Sequence, residues 1–181
     1  MANKIKPRLI IVLTIVMICS TVTLTFLRQL TTPIIEAHAE KKKEESILKV
    51  LPDSAKEYKK VTKDGLTLYK GLDKSGNIVG YAFQNSGQGF QSILKIMMGL
   101  DLENNKIIKV RILNQAETPG LGSRIKEETF KDQYKGKSFS DQFKVKEDID
   151  SISGATITSV AMTDVIKEGI EKVQKVYGGG E

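Results

Sequence analysis

Leu9 to Leu27 reads LIIVLTIVMICSTVTLTFL, 19 residues with no ionisable side chain except the Cys19 thiol. An apolar helix of about 20 residues matches the roughly 30 Å hydrocarbon core of a bilayer. The run therefore predicts a transmembrane helix over residues 9–28. Lys4, Lys6 and Arg8 precede it, and basic flanks stay on the cytoplasmic side. Residues 1–8 are the expected cytoplasmic tail, and the chain after residue 28 is expected outside the cytoplasm. A cleaved signal peptide competes with this reading, because basic, apolar and small-residue segments follow in that order and Ala37-His38-Ala39 resembles a cleavage site. That triplet lies about ten residues past the apolar run, and the run is longer than a usual signal core. A retained anchor is the preferred reading. With no Asp, Glu, Lys, Arg or His in the span, it offers no ion relay.

The anchor also accounts for most of the formal charge of +6. Lys4, Lys6, Arg8 and Arg28 carry four of the 28 basic charges, and no acid precedes Glu36. The rest of the chain holds 24 basic against 22 acidic residues. So even a balance shows no electrostatic footprint for nucleic acid. The only cysteine is Cys19, within the span, and the only histidine is His38, near it. An intrachain disulfide, a Cys-type zinc site, an Fe–S cluster and a His-based catalytic triad are excluded on that count. The remaining length of about 130 residues suits one domain with a core of its own.

Thr31 to about Val50 reads as a helix continuing from the anchor, so residues 29–50 form a juxtamembrane helix or linker. Lys41-Lys42-Lys43-Glu44-Glu45 is its solvated face, and Pro52 closes it. Beyond it, Leu66–Tyr69 and Ile78–Phe83 read as strands around the turn cluster Lys74-Ser75-Gly76-Asn77. Asn85 to Gly89 is polar and reads as a loop. Ile93–Leu102 and Ile107–Leu113 flank Glu103-Asn104-Asn105-Lys106 as a hairpin. Glu127–Tyr134 reads as a short helix ended by Gly136, and Phe143–Val145 as a brief strand. The closing helix is expected over Ser159–Tyr177, from the spacing of Val160, Ile166, Ile170, Val173 and Val176, with Thr158 or Ser159 as its N-cap. Gly178-Gly179-Gly180 makes residues 178–181 a tail. Strands and helices do not alternate regularly. The expected fold class is α+β: a single N-terminal transmembrane helix, then a domain over residues 51–177 with a mainly antiparallel sheet and flanking helices.

Two segments exceed what packing requires. Glu117-Thr118-Pro119-Gly120-Leu121-Gly122 holds a Pro-Gly tight turn with backbone freedom beside it; its bland reading is a surface turn. Asp150-Ser151-Ile152-Ser153-Gly154-Ala155-Thr156 leads into the closing helix; its bland reading is a polar loop capped by Thr158 or Ser159. Gly154 and Ala155, however, clear bulk immediately before the Thr156 hydroxyl. A helix starting just beyond would direct N–H groups and a positive dipole end toward an anion such as phosphate.

On these two motifs the chain resembles the FMN-binding subunits of ion-translocating electron transport complexes, represented by the G subunit of the Rnf complex and the C subunit of the sodium-pumping NADH:quinone reductase. In that family Asp-x-x-Ser/Thr-Gly-Ala-Thr is the recognition site of a flavin transferase, which takes FAD and joins its FMN part to the final Thr as a phosphoester. Here Asp150, Ser153, Gly154, Ala155 and Thr156 match it, so the resemblance implies covalent FMN on Thr156, neighbours at Ser153, Gly154 and Ala155, and Asp150 in transferase recognition. The unsubstituted Glu-Thr-Pro-Gly-Leu-Gly run implies flavin contacts from Glu117, Thr118, Leu121 and Gly122. Lys137 and Lys144 are further cations that could meet the phosphate or the ring, whereas Tyr81 and Phe90 read as core or rim packing. The chain's shortness favours the Rnf-type subunit, in a ferredoxin- and NAD-linked complex, over the quinone-reductase subunit. A stand-alone extracytoplasmic flavin carrier and a non-redox scaffold are the other readings. The implied partners are the other subunits of the membrane complex and the flavin transferase, and the implied setting is a bacterial or archaeal cell membrane. Flavin supplies redox chemistry that the residues themselves lack.

Overall fold

The computed structural model describes residues 7–177. Lys4 and Lys6 of the expected cytoplasmic flank and the 178–181 tail lie outside the described residues. Helix α1, Pro7–Val50, is continuous through Pro33. The chain divides into two compact units at Lys41/Lys42.

In the first unit the apolar side chains from Leu9 to Leu30 are exposed, as an apolar helix is when its solvent is lipid. Its threonines are consistent with that setting. The hydroxyls of Thr14, Thr21 and Thr23 donate to the carbonyls of Ile10, Met17 and Cys19 at 2.8–2.9 Å, so these polar groups are satisfied inside the helix itself.

In the second unit the sheet is a five-stranded antiparallel meander: β1 (Glu57–Lys63), β2 (Leu66–Leu72), β3 (Ile78–Gln88), β4 (Ile93–Asp101) and β5 (Lys106–Asn114), ordered 1-2-3-4-5. The side-chain period of two divides the strands between two cores. From β4, Leu94, Ile96, Met98 and Leu100 enter the larger core, while Met97 enters the smaller one with Ile47, Val50 and Leu51. Ile47 and Val50, from the end of α1, thus cover one face. The other face is covered by α3 (Thr156–Tyr177), whose Met162, Val165, Ile166, Ile170 and Val173 recur at helical spacing. Each such buried side chain contributes roughly 1.5–3 kcal/mol of hydrophobic stabilisation. The fold is the expected α+β class.

Several expectations need correction. Asn85 to Gln88 is not loop but the end of β3, paired with Ile93–Ile96 of β4. The polar residue there points inward: the buried Asn85 amide donates to the Val165 carbonyl at 2.7 Å and accepts from Lys172 Nζ at 3.0 Å. Strand β1, charged and largely exposed, has no apolar alternation to announce it and is held by pairing with β2. The expected Glu127–Tyr134 helix is broken into α2 at Glu128–Lys131 and a 3-10 turn at Asp132–Tyr134, and another 3-10 turn at Gly122–Lys126 precedes it. No strand forms at Phe143–Val145, where only one bridge joins Val145 to Ile149. Phe143 and Lys146 adopt positive φ (51° and 75°), and Asp148 gathers the backbone N–H groups of Phe143 and Lys144, closing a loop. Finally, α3 begins at Thr156, so Thr158 and Ser159 lie in its first turn and do not cap it.

Candidate functional site

The early start of α3 decides the geometry. Ser159 N–H donates to the Ala155 carbonyl at 3.0 Å, so Ala155 takes the cap position, where it has no side-chain acceptor to offer the first-turn N–H groups. The chain enters this position by a turn closed by Ala155 N–H to the Ile152 carbonyl at 2.9 Å. Gly154 makes that turn possible at φ 77°, a conformation that costs a Cβ-bearing residue strain. The Ser159 hydroxyl fixes the turn from behind, accepting from Ile152 N–H at 3.1 Å and donating to the Ala155 carbonyl at 3.0 Å.

The Thr118–Leu121 turn faces this helix start. It is closed by Leu121 and Ser123 N–H groups on the Thr118 carbonyl at 3.2 and 3.1 Å, with Gly120 at φ 74°. Gly122 is a close-approach position: a Cβ there would lie 2.8 Å from Thr158 Oγ1 and 3.0 Å from Glu117 Cβ. Between the two motifs opens a cleft of about 400 Å³, lined by Phe90, Thr118, Leu121, Gly122, Gly154, Ala155, Thr156, Ile157 and Thr158.

The two segments singled out in sequence therefore meet. Of the residues named from sequence, Thr118, Leu121, Gly122, Gly154, Ala155 and Thr156 line the cleft. Ser153 is exposed beside it. Asp150 is exposed too, its backbone held by the Gln133 amide at 2.7 and 3.4 Å. Glu117 does not line the cleft. It is buried, and its carboxylate accepts from Gln91 N–H (3.1 Å), Ser92 N–H (3.1 Å), Ser92 Oγ (3.0 Å) and Thr158 Oγ1 (2.9 Å). Burial pushes its pKa up, but these hydrogen bonds outweigh burial and hold the carboxyl below its ordinary range. Lys137 and Lys144 are also elsewhere, paired with Asp148 at 3.4 Å and with Glu147. Tyr81 packs half-buried against the larger core.

Sequence reading missed Phe90, Ile157 and Thr158 as lining residues. Phe90 is not core: it is 55 % exposed, and Ile157 and Leu121 are 63 % and 44 % exposed. Large apolar side chains left open in one concavity mark a ligand site more than a surface turn. Sequence offered one signal for Phe90, an aromatic set directly after Gly89 in a polar stretch.

The hydroxyls of α3 complete the picture. Thr158 donates to Glu117, Ser159 to Ala155, and Thr163 to Ser159, the last at 2.8 Å. Thr156 lies among them, half-buried in the cleft, and its hydroxyl has no hydrogen-bond partner among the described residues. An apolar cleft with an uncapped helix start and a free hydroxyl fits a planar, largely apolar ring carrying a phosphate.

Comparisons with known proteins agree. Residues 89–171 match the FMN-binding domain family, and this span takes in both motifs. Among relatives, the chain is 31 % identical to the G subunit of the ion-translocating oxidoreductase complex of Methanosarcina acetivorans, over 77 % of this chain and 79 % of that protein. It is 27 % identical to the G subunit of the proton-translocating ferredoxin:NAD(+) oxidoreductase complex of Clostridium ljungdahlii, over 92 % and 91 %. The fold matches the crystal structure of Shewanella oneidensis NqrC with a TM-score of 0.52 and 22 % identity, over 68 % of this chain and 70 % of that one. The chain belongs to the family of G subunits of ion-translocating oxidoreductase complexes.

Proposed function

We propose that this chain is the electron-transfer flavoprotein subunit of a membrane-bound, Rnf-type complex linking ferredoxin and NAD, and that it carries FMN in the cleft as a phosphoester of Thr156. One observation carries the reading: a hydroxyl with no partner among the described residues stands at an uncapped helix N-terminus inside an apolar cleft. Thr158 and Ser159 supply hydroxyls close by in sequence, but theirs are engaged with Glu117 and Ala155.

When bound, FMN supplies the redox chemistry, which the described residues do not provide themselves. The chain's contribution is placement. The first-turn N–H groups of α3 face the remaining negative charge of the esterified phosphate. Phe90, Leu121 and Ile157 offer apolar surface to the ring and keep water from it. In maturation, the Thr156 oxygen displaces AMP from FAD and gives up its hydroxyl proton, so a flavin transferase is a partner at that stage. Asp150 and Ser153, exposed before the turn, are placed for recognition by it. Residues 9–28 span the membrane, the 51–177 domain faces away from the cytoplasm, and the covalent bond keeps the flavin from diffusing off. The other subunits of the complex are its partners.

The C subunit of the quinone reductase shares the fold, but the relatives aligned over most of this chain are named as G subunits, which favours the Rnf-type assignment. Isolation from the membrane without stable subunit partners would favour a stand-alone flavin carrier instead.

Thr156→Ala tests the site. Co-produced with its flavin transferase, the wild-type chain gives a fluorescent band on a denaturing gel and the variant gives none while retaining its native melting temperature. A fluorescent band that survives the substitution contradicts the assignment.

A further inference from the structure

Glu117 is a buried carboxylate without an ion-pair partner among the described residues. Four neutral donors converge on it and hold its carboxyl below the ordinary range against burial. It stands immediately behind the cleft wall. Two lining residues touch it: Thr158, through the 2.9 Å hydrogen bond, and Gly122, where a Cβ would come within 3.3 Å of Oε2. Neutral donors hold the charge in place without cancelling it, and in a wall excluded from water such a charge is weakly screened. Ordinary cap chemistry does not explain the arrangement. A backbone clasp of the 89–92 loop to α3 could be made by Gln, with a neutral oxygen and no buried charge to stabilise.

Resting on the reading that flavin occupies this cleft, we propose that Glu117 is an electrostatic positioning residue, a permanent negative charge behind the wall that lowers the reduction potential of the flavin bound in front of it. An electron arriving in the cleft adds negative charge close to a carboxylate that stays ionised, which disfavours the reduced form. The same residue ties the Phe90 loop, the Thr118–Gly122 turn and the first turn of α3 together, so placement and potential are set by one side chain.

The test is a potentiometric titration of flavin-loaded full chain in detergent, comparing wild type, Glu117→Gln and Ser92→Ala. Melting curves report the fold, and in-gel fluorescence reports flavin loading. Glu117→Gln keeps the shape and removes the charge, so its midpoint should move to more positive potential, at high salt as well as low. Ser92→Ala keeps the charge and removes one donor, so its midpoint should move in the negative direction. Opposite signs separate electrostatics from loosened packing, which would move both variants the same way. An unchanged or more negative midpoint in Glu117→Gln overturns the proposal, as does a positive shift of similar size in both. Should Glu117→Gln fail to fold or to load, the sign in Ser92→Ala decides: a negative shift supports the proposal, and none or a positive one overturns it. A wild-type chain without flavin defeats instead the functional reading beneath it.

Discussion

Two hollows of similar size in the folded domain behave in opposite ways. One is the cleft of about 400 Å³ at the start of α3; the other, of about 510 Å³, lies among Lys137, Ser140, Asp141, Gln142, Glu147 and Asp148. The second is the more polar and on charge alone looks the more chemical. Its groups, however, serve one another: Asp148 takes Lys137 and the N–H groups of Phe143 and Lys144, Asp141 takes Ser138 N–H, and Glu147 pairs with Lys144. The cleft holds the reverse, with large apolar side chains left in solvent and a hydroxyl that has no partner among the described residues. Paired charge in the hollow stabilises a loop, whereas exposed apolar surface and open hydrogen-bonding capacity in the cleft mark a place for a ligand.

Substitutions should separate the two regions. The largest effect on stability is expected for Glu117→Ala, which leaves two backbone N–H groups and two hydroxyls without their shared acceptor. We expect a loss of about 3 kcal/mol or more, read as a fall in the urea midpoint at unchanged slope. Next comes Asp148→Ala in the polar hollow, expected to cost about 1–3 kcal/mol and to leave covalent flavin at the wild-type level. If flavin loading fell while stability held, the hollow would belong to the site and the comparison would break.

The acid limb follows from the same two carboxylates. For both Glu117 and Asp148 burial raises the pKa, but hydrogen bonding, joined for Asp148 by the Lys137 charge, lowers it by more and leaves each below its ordinary value. A depressed carboxylate stabilises the fold above its unfolded pKa, about 4, and that contribution is lost as pH falls through the lower folded value. Stability should therefore be flat near neutrality and drop at acid pH, with a shallower drop in Asp148→Asn. An identical acid limb in that variant would remove Asp148 from the account.

The smallest stability effects belong to the cleft itself. Phe90→Ala and Thr156→Val are expected to stay within about 0.5 kcal/mol of wild type, since the first side chain is exposed and the second hydroxyl has no partner among the described residues. Phe90→Ala should instead open the bound flavin to iodide quenching. Unchanged quenching would place Phe90 away from the ring.

Much of this was legible in the sequence, and the limits have physical reasons. The β4–β5 hairpin and the β2–β3 turn are written in periodicity and turn residues, and they stand where expected. The apolar face of α3 was legible in part: Ile166, Ile170 and Val173 are buried, but Val160 is exposed and Val176 half-buried, and Met162 and Val165 complete the face instead. Strand β1 was illegible because both its faces are mostly solvated and its pairing with β2 alone holds it. The end of β3 was hidden because Asn85 is buried for its hydrogen bonds, which polarity alone reads as loop. Thr158 and Ser159 read as caps because local sequence favours that role. In the fold the Thr158 hydroxyl is instead taken by Glu117, 41 residues away in sequence, and the Ser159 hydroxyl by the Ile152–Ala155 turn. The pairing of the two motifs could be expected from resemblance; their division of labour, Glu117 behind the wall and Phe90 in front of it, could not.

The central claim concerns one oxygen, and peptide mapping by mass spectrometry tests it most directly. Chain isolated from its native membrane and digested should yield the segment spanning residues 150–159 heavier by one FMN less one water, with fragmentation placing the added mass on Thr156. The same segment recovered at its unmodified mass, or with the flavin on Ser153 or Thr158, would contradict the account.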